Sequence, residues 1–200
     1  MRTFPDAEFK PASLVAPLEL EKAFNRTAPL EFDLGCGDGS FLTALAAAHP
    51  ERDFLGVEKM PGRVRTACRR IGDRQLSNAR VLQLEISHAV HLLPRRSIDA
   101  FYLLFPDPWP KRRHHSRRIV TADFLRAIAR ALKPDGLVRI KTDQMDYFVA
   151  IQKSLREAPQ LSANLEDEEP DLPKTTFEKR FLASGASIYW LELRKAGPNR

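Results

Sequence analysis

Short apolar runs alternate with helical patterns along most of this chain. Leu30 to Leu34 is a short apolar run ending in glycines, which predicts a strand. Ser40 to Ala48, rich in alanine and leucine, predicts a helix. Asp53 to Val57 predicts a second strand, Gly62 to Ile71 a basic helix, and Ala79 to Leu84 a third strand. Ile98 to Phe105 is almost wholly apolar, as expected of a central strand buried on both faces. Ala122 to Leu132 predicts a helix whose stop is marked by Pro134 and Gly136. Leu137 to Lys141 follows as a fifth strand, Tyr147 to Arg156 as a helix and Ser187 to Leu193 as a late strand. Ahead of these, Leu18 to Arg26 predicts a short helix, and the scattered Pro5, Pro11 and Pro17 give an irregular lead-in.

Strands alternating with helices imply crossovers and a parallel sheet, hence an α/β fold with helices on both faces. Crossovers of this kind are right-handed, and ligands sit at the carboxyl ends of the strands. That rule selects the loops after Leu34, Val57, Leu84, Phe105 and Lys141. The chain has 200 residues, the size of one domain, with a lead-in over 1–29 and a core over 30–195 expected. The longest apolar stretches, such as Phe41 to Ala48 and Ala100 to Phe105, are too short to span a membrane. No export signal is visible at the N-terminus. Cys36 and Cys68 are too few and too widely spaced for a metal knuckle or a disulfide framework. A reduced, cytoplasmic setting without a metal is expected.

The net charge of +6 favours polyanionic partners, and its distribution says more than its size. Basic residues cluster at Lys111 to Arg118 and acids at Glu166 to Asp171; the acidic run reads as a solvated loop.

The first selected loop reads Asp33-Leu34-Gly35-Cys36-Gly37-Asp38-Gly39. Alternate glycines permit positive φ and close approach of the backbone to a ligand. Pyrophosphate loops read G-x-G-x-x-G; here the spacing is G-x-G-x-G and an acid ends the strand. An acid there repels phosphate and suits a ligand such as the amino-acid end of S-adenosylmethionine. The plainer alternative is a tight strand-to-helix turn. Glu58 ends the second strand some twenty residues on, placed to bind a ribose diol. Glu85 follows the third strand and is a candidate acceptor for an adenine amino group.

The fourth strand runs into Phe105-Pro106-Asp107-Pro108-Trp109-Pro110-Lys111-Arg112-Arg113-His114-His115-Ser116-Arg117-Arg118. Alternate prolines fix φ, remove backbone donors and push Phe105, Asp107 and Trp109 towards extended conformations. A helix is excluded over the prolines. The expectation is a stiff platform carrying an acid and an aromatic at the cofactor edge, followed by cations able to grip phosphates. A rigid surface loop with a solvated charge run is the competing account.

This stretch closely resembles the signature of bacterial tRNA (guanine-N7)-methyltransferases, the TrmB family. The likeness continues in Thr142-Asp143 and in Thr175-Thr176-Phe177-Glu178, and covers the chain from about Leu30 to Leu193. It implies a Rossmann-like S-adenosylmethionine-dependent methyltransferase fold with a mostly parallel seven-stranded sheet. It implies tRNA as partner and S-adenosylmethionine as cofactor. By the resemblance, Asp33, Glu58 and Glu85 fall on cofactor-binding acids, beside Gly35 and Gly37 of the loop. Asp107 falls on the active-site aspartate, at the cofactor as well. Lys111, Asp143, Thr175 and Glu178 fall on substrate-binding positions, with Arg112 and Arg113 as neighbouring phosphate contacts. Two departures stand out. The third acid is Glu85 where aspartate is usual, followed by Ile86 where a small residue is common. The lead-in is also short for the family, so tRNA contacts made by such an extension are expected to be missing.

Guanine N7 is an exposed lone pair, so no strong base is required. Carboxylates near the ring would stabilise the positive charge it gains. Asp107 is the candidate for this, with Asp143 and Glu178 accepting from guanine's donor edge and Trp109 supporting an extruded base. Other residues take plainer readings. His88 and His91 lie three apart on an expected helix with no third metal ligand in view. His114 and His115 belong with the phosphate-binding run, Cys36 reads as a packing residue, and Phe177 is open as a core anchor. A nicotinamide oxidoreductase would want a G-x-G-x-x-G loop and gives the Pro-Asp-Pro-Trp segment no role. A non-catalytic RNA-binding relative and a methyltransferase acting on another RNA remain as rivals.

Overall fold

The computed structural model describes residues 7–164 and 171–196. Seven strands form one sheet in the order β3-β2-β1-β4-β5-β7-β6, and the chain packs as two compact units, Met1–Pro94 and Arg95–Arg200. The acidic run, apart from Asp171, and Pro5 of the lead-in lie outside the described residues. No helix among the described residues is long and apolar enough to cross a membrane.

The first unit holds β1 (Leu30–Leu34), α1 (Ser40–Ala48), β2 (Asp53–Glu58), α2 (Pro61–Asp73), β3 (Ala79–Gln83) and α3 (Ile86–Leu92). β1 and β2 pair in parallel from Leu30 opposite Asp53 to Leu34 opposite Val57. β2 and β3 do the same from Phe54 opposite Ala79 to Glu58 opposite Gln83. Every residue of β1 and β2 is buried, acids included. Those at the amino ends are neutralised: Glu31 accepts from Arg52 at 2.5 Å, and Asp53 pairs with Arg26 at 2.6 Å. Asp33 and Glu58 at the carboxyl ends are treated below.

The expected helix over Leu18 to Arg26 is only a 3-10 turn, Leu20–Lys22. The buried residues there are Leu18, Leu20 and Ala23, a spacing that a helical face does not produce. Asn25 then adopts a left-handed backbone with φ of 53°. The lead-in is irregular but fastened. Phe9 N donates to Val81 O and Val81 N to Ala7 O, both at 2.8 Å, extending the sheet edge by one bridge.

The second unit holds β4 (Ile98–Leu104), α4 (Ala122–Ala131), β5 (Leu132–Thr142), α5 (Met145–Leu155), β6 (Leu161–Asn164), α6 (Thr176–Ala183) and β7 (Tyr189–Lys195). β4 pairs with β5 in parallel, and β7 lies antiparallel to both β5 and β6. β4 is buried through its centre, as its composition demands. The proline and glycine after α4 stop the helix, yet they do not delay the strand. β5 begins at Leu132, and the residues between Leu132 and Leu137 bulge against one residue of β4. Asp135 in that bulge has φ of 62°, and Lys133 closes it with a 2.7 Å ion pair to Asp99. β6 and α6 are elements the hydrophobic pattern does not reveal.

Candidate functional site

The glycine loop is built on the end of β2. Gly35 N and Cys36 N both donate to Val57 O, at 2.8 and 3.0 Å. Gly35, Gly37 and Gly39 all have positive φ, at 86°, 57° and 74°. Gly39 is required twice over, because a Cβ there would lie 2.7 Å from the Ala67 Cβ on α2. The loop is therefore clamped between β2 and α2. Arg70 of α2 adds a side-chain clamp, donating to the Asp38 carboxylate at 2.7 Å and to the Asp38 carbonyl at 3.0 Å.

Three acids line this end of the first unit in different states. Asp33 is 4% exposed, and its Oδ2 has no hydrogen-bond partner among the described residues. Burial first, and then the negative charge of Glu58, push its pKa up to about 7. Glu58 is also buried, but both oxygens are engaged: one accepts from Gly37 N at 3.1 Å and the other from Met60 N at 2.8 Å. Two lone pairs remain on it for a diol. Glu85 is half-exposed and lies 3.4 Å from Lys59 Nζ. The backbone before α3 is turned by Glu85, whose carbonyl takes His88 N and Ala89 N. Ile86 is held under the loop, within 3.3 Å of where a Gly35 Cβ would stand.

These residues fit S-adenosylmethionine. A buried carboxyl oxygen without a donor calls for a cationic or hydrogen-bonding group, and an α-ammonium supplies both. Cys36 packs beneath, its thiol pushed well up by burial, which removes it as a nucleophile.

The second unit carries the proline loop after β4. Phe105 and Trp109 are not extended, contrary to the expectation from the prolines that follow them. Their φ values are 54° and 44°. The ring of the next proline restricts the preceding residue's α region but leaves φ free to reverse, at the expense of Cβ crowding. Left-handed backbone at bulky residues costs about 1–3 kcal/mol each and persists only where neighbours hold it. Here they do. Phe105 N donates to Lys141 O at 2.8 Å, and its ring lies 5.4 Å from that of Phe181 on α6. Trp109 has Arg117 over its ring at 4.9 Å and His114 edge-on at 5.9 Å. A base stacking on Trp109 must share it with that guanidinium.

Asp107, between these two strained residues, is exposed and has no hydrogen bond or ion pair among the described residues. The helix-free segment ends at the last proline. Arg112–Arg117 form a 3-10 turn, with Lys111, Arg112 and Arg113 exposed.

Arg118 does not belong to that cationic surface. It is buried, donates to Pro108 O at 2.8 Å, pairs with Asp146 and lies 4.7 Å over the fully buried Tyr147 ring. It is a strut from α5 to the proline loop. The charge run of the sequence conceals this role, because nothing local separates Arg118 from its neighbours.

Of the remaining candidates, Asp143 is half-buried and accepts from Gln144 Nε2 at 2.6 Å. Thr175 and Glu178 are occupied within the protein. Thr175 caps α6 by accepting from Glu178 N at 2.9 Å, and Glu178 returns a carboxylate oxygen to Thr175 N at 3.3 Å. The other oxygen meets Lys141 Nζ at 2.7 Å. The side chains of this pair are 5% and 2% exposed. The Glu178 carboxylate is thus enclosed and joins α6 to β5. Phe177 is exposed and stacks at 6.5 Å on Phe181, so it is not a core anchor. Lys141 and Phe181 escaped the sequence reading. The Thr175-x-x-Glu178 spacing was a legible capping box.

A family model described as "Putative methyltransferase" matches residues 27–191. A tRNA (guanine-N(7)-)-methyltransferase of Leifsonia xyli subsp. xyli is 40% identical over 199 residues, covering 94% of this chain and 87% of that protein. One of Alkalilimnicola ehrlichii is 37% identical over 184 residues, covering 90% and 78%. Among solved structures, the 16S rRNA methyltransferase KamB matches with a TM-score of 0.67 at 17% identity over 90% of this chain and 93% of that one. The aminoglycoside resistance methyltransferase NpmB1 matches with a TM-score of 0.63 at 20% identity over 89% and 92%. At such identities they speak for the fold alone. The sheet, the glycine loop and its unpartnered acid define an S-adenosylmethionine-dependent methyltransferase. Within that class, the chain belongs to the tRNA (guanine-N7)-methyltransferase family.

Proposed function

We propose that this protein transfers a methyl group from S-adenosylmethionine to N7 of a guanine in cytoplasmic tRNA, the variable-loop guanine being the expected target. The observation that carries the reading is Asp107. It is an exposed carboxylate without an internal partner, in a segment whose flanking residues are both held in left-handed backbone. Strain of this kind is retained where geometry serves function.

When bound, S-adenosylmethionine supplies an electrophilic methyl on a sulfonium. Asp33 would hold its amino end, with Gly35 and Gly37 bringing the backbone close; Glu58 would hold the ribose and Glu85 the adenine. Guanine N7 would accept that methyl and the ring would gain positive charge. Asp107 stabilises that charge and orients the ring, and Asp143 accepts from its donor edge. Holding the partners in line supplies on the order of 7–11 kcal/mol. Lys111, Arg112 and Arg113 grip backbone phosphates. Thr175 and Glu178 serve the guanine site indirectly, by fixing α6 and, through Phe181, the turn at Phe105.

Incubation with labelled S-adenosylmethionine and unmodified tRNA, followed by nucleoside analysis, should yield 7-methylguanosine. Asp107→Ala should lower kcat by about 100-fold or more while the affinity for S-adenosylhomocysteine stays within about twofold of wild type. Undiminished methylation by that variant would remove Asp107 from the chemistry.

A further inference from the structure

The proposed chemistry leaves most of the charge on α2 without a task. The helix carries Arg63, Arg65, Arg69 and Arg70, and Arg74 is its C-cap. Arg70 is committed to Asp38, and Arg63 lies 3.9 Å from Glu58. Arg65, Arg69 and Arg74 are exposed, with no hydrogen bond or ion pair from their side chains among the described residues.

This arrangement works against the helix. Arg65 and Arg69 are four apart on one row, where like charges destabilise by about 0.2–0.5 kcal/mol. Arg63 stands in a first turn that holds no acid, where the helix dipole disfavours a cation. Folding therefore does not explain Arg65 and Arg69, whereas Arg74 stands at the C-cap, where the helix dipole favours a cation. The other face does the packing, through Val64, Ala67 and Ile71. Because those apolar residues are buried, α2 has no apolar face to lay into a lipid surface. An extended polyanion is the partner whose charge the exposed face complements.

We propose that the outer face of α2, through Arg65 and Arg69, together with Arg74 at the helix's C-terminal end, is a second tRNA-binding surface that docks on the phosphodiester backbone. It is carried by the first unit and is distinct in the chain from the basic run at Lys111 to Arg113. The choice of tRNA rests on the function proposed above. The same helix clamps the cofactor loop through Arg70 and Ala67, so tRNA docking on one face and cofactor-loop support on the other fall to one element.

The test is filter binding of tRNA to the full chain over a range of salt, with steady-state methylation alongside, for wild type, R65A/R69A, R65K/R69K and R74A. Loss of two phosphate contacts should reduce the slope of log affinity against log salt by about 1.5–2, and R74A should reduce it by about 0.7–0.9. R65A/R69A should raise the Kd and the KM for tRNA about tenfold at 0.1 M salt, whereas kcat and the S-adenosylhomocysteine Kd hold. R65K/R69K should keep the wild-type slope. Melting of R65A/R69A should match or exceed wild type, because a repulsion is removed. Unchanged tRNA affinity and salt slope in R65A/R69A would overturn the proposal, as would loss of binding to phosphatidylserine vesicles with tRNA binding intact. A wild-type protein that shows the α2-dependent slope but makes no 7-methylguanosine would refute the methylation and leave this surface standing.

Discussion

Asp33 gives the sharpest handle on the cofactor site, because its carboxyl is buried without a donor for Oδ2 among the described residues. Its pKa rises from 3.8 to about 7 in the folded protein, through burial and then the charge of Glu58. The folded state therefore binds a proton that the unfolded state has already released between about pH 4 and 7. This group's contribution to stability is present at low pH and is lost as pH climbs through 7. At about 1.36 kcal/mol per pH unit, the rise corresponds to about 4 kcal/mol. Asp33→Asn keeps the shape and removes the charge, so the free variant should be more stable than wild type at pH 8 by up to about 4 kcal/mol. The ligand reverses the preference. An ammonium beside the carboxylate stabilises the ionised form, so binding below pH 7 must expel a proton. Wild-type affinity for S-adenosylhomocysteine should rise about tenfold per unit between pH 5 and 7 and level off above. Calorimetry in two buffers of different ionisation enthalpy should count close to one proton released at pH 6. In Asp33→Asn the pH dependence should vanish, and binding at pH 8 should weaken by about 1.5–3 kcal/mol, the worth of a charged hydrogen bond. A flat wild-type profile from pH 5 to 8, or an Asn variant of undiminished affinity, would refute an ammonium partner for Asp33.

Three further perturbations follow from the packing. Lys141→Met leaves the Glu178 carboxylate buried without its cation and should cost about 3–5 kcal/mol in chemical denaturation; Lys141→Met with Glu178→Leu should recover most of that loss. Arg118→Lys keeps a charge but loses the fork that reaches Pro108 and Asp146. Its kcat for methylation should fall with cofactor affinity unmoved, and equal losses in both would show that it acts elsewhere. Gly39→Ala places a Cβ 2.7 Å from Ala67 in a left-handed backbone and should weaken cofactor binding. Ala67→Gly in the same chain should restore part of that binding, measured by the same calorimetry.

The elements legible beforehand are those whose burial is set by one strand or one helix face. β1, α1, β2 and β4 carry enough apolar residues to declare themselves, and the glycine loop follows because only glycine accepts three left-handed turns in five residues. Elsewhere the burden is shared over long separations. β6 is four residues long, Leu161–Asn164, with only Leu161 buried and its pairing made to the distant β7, so no window around it holds a period. Phe105 and Trp109 illustrate the same limit in the backbone. A local rule about prolines gives the extended form, and tertiary contacts from Lys141, Phe181 and Arg117 select the other.

Glu178 carries the argument one step further. Its place in Thr175-x-x-Glu178 is visible in the sequence as a helix start, and the resemblance assigns it to substrate. Neither view contains Lys141, 37 residues earlier, which faces it at 2.7 Å. A buried carboxylate that satisfies a capping box and a lysine at once is held on both oxygens, and its loss would free α6, and with it the Phe181 ring against Phe105. If Glu178 serves the substrate site, it does so either by direct contact or by holding α6 in place. Retained activity in the doubly apolar Lys141→Met/Glu178→Leu chain, set against inactivity in Glu178→Ala alone, would separate the two meanings. A direct contact is lost in both variants, whereas a strut is lost only where its place is left empty.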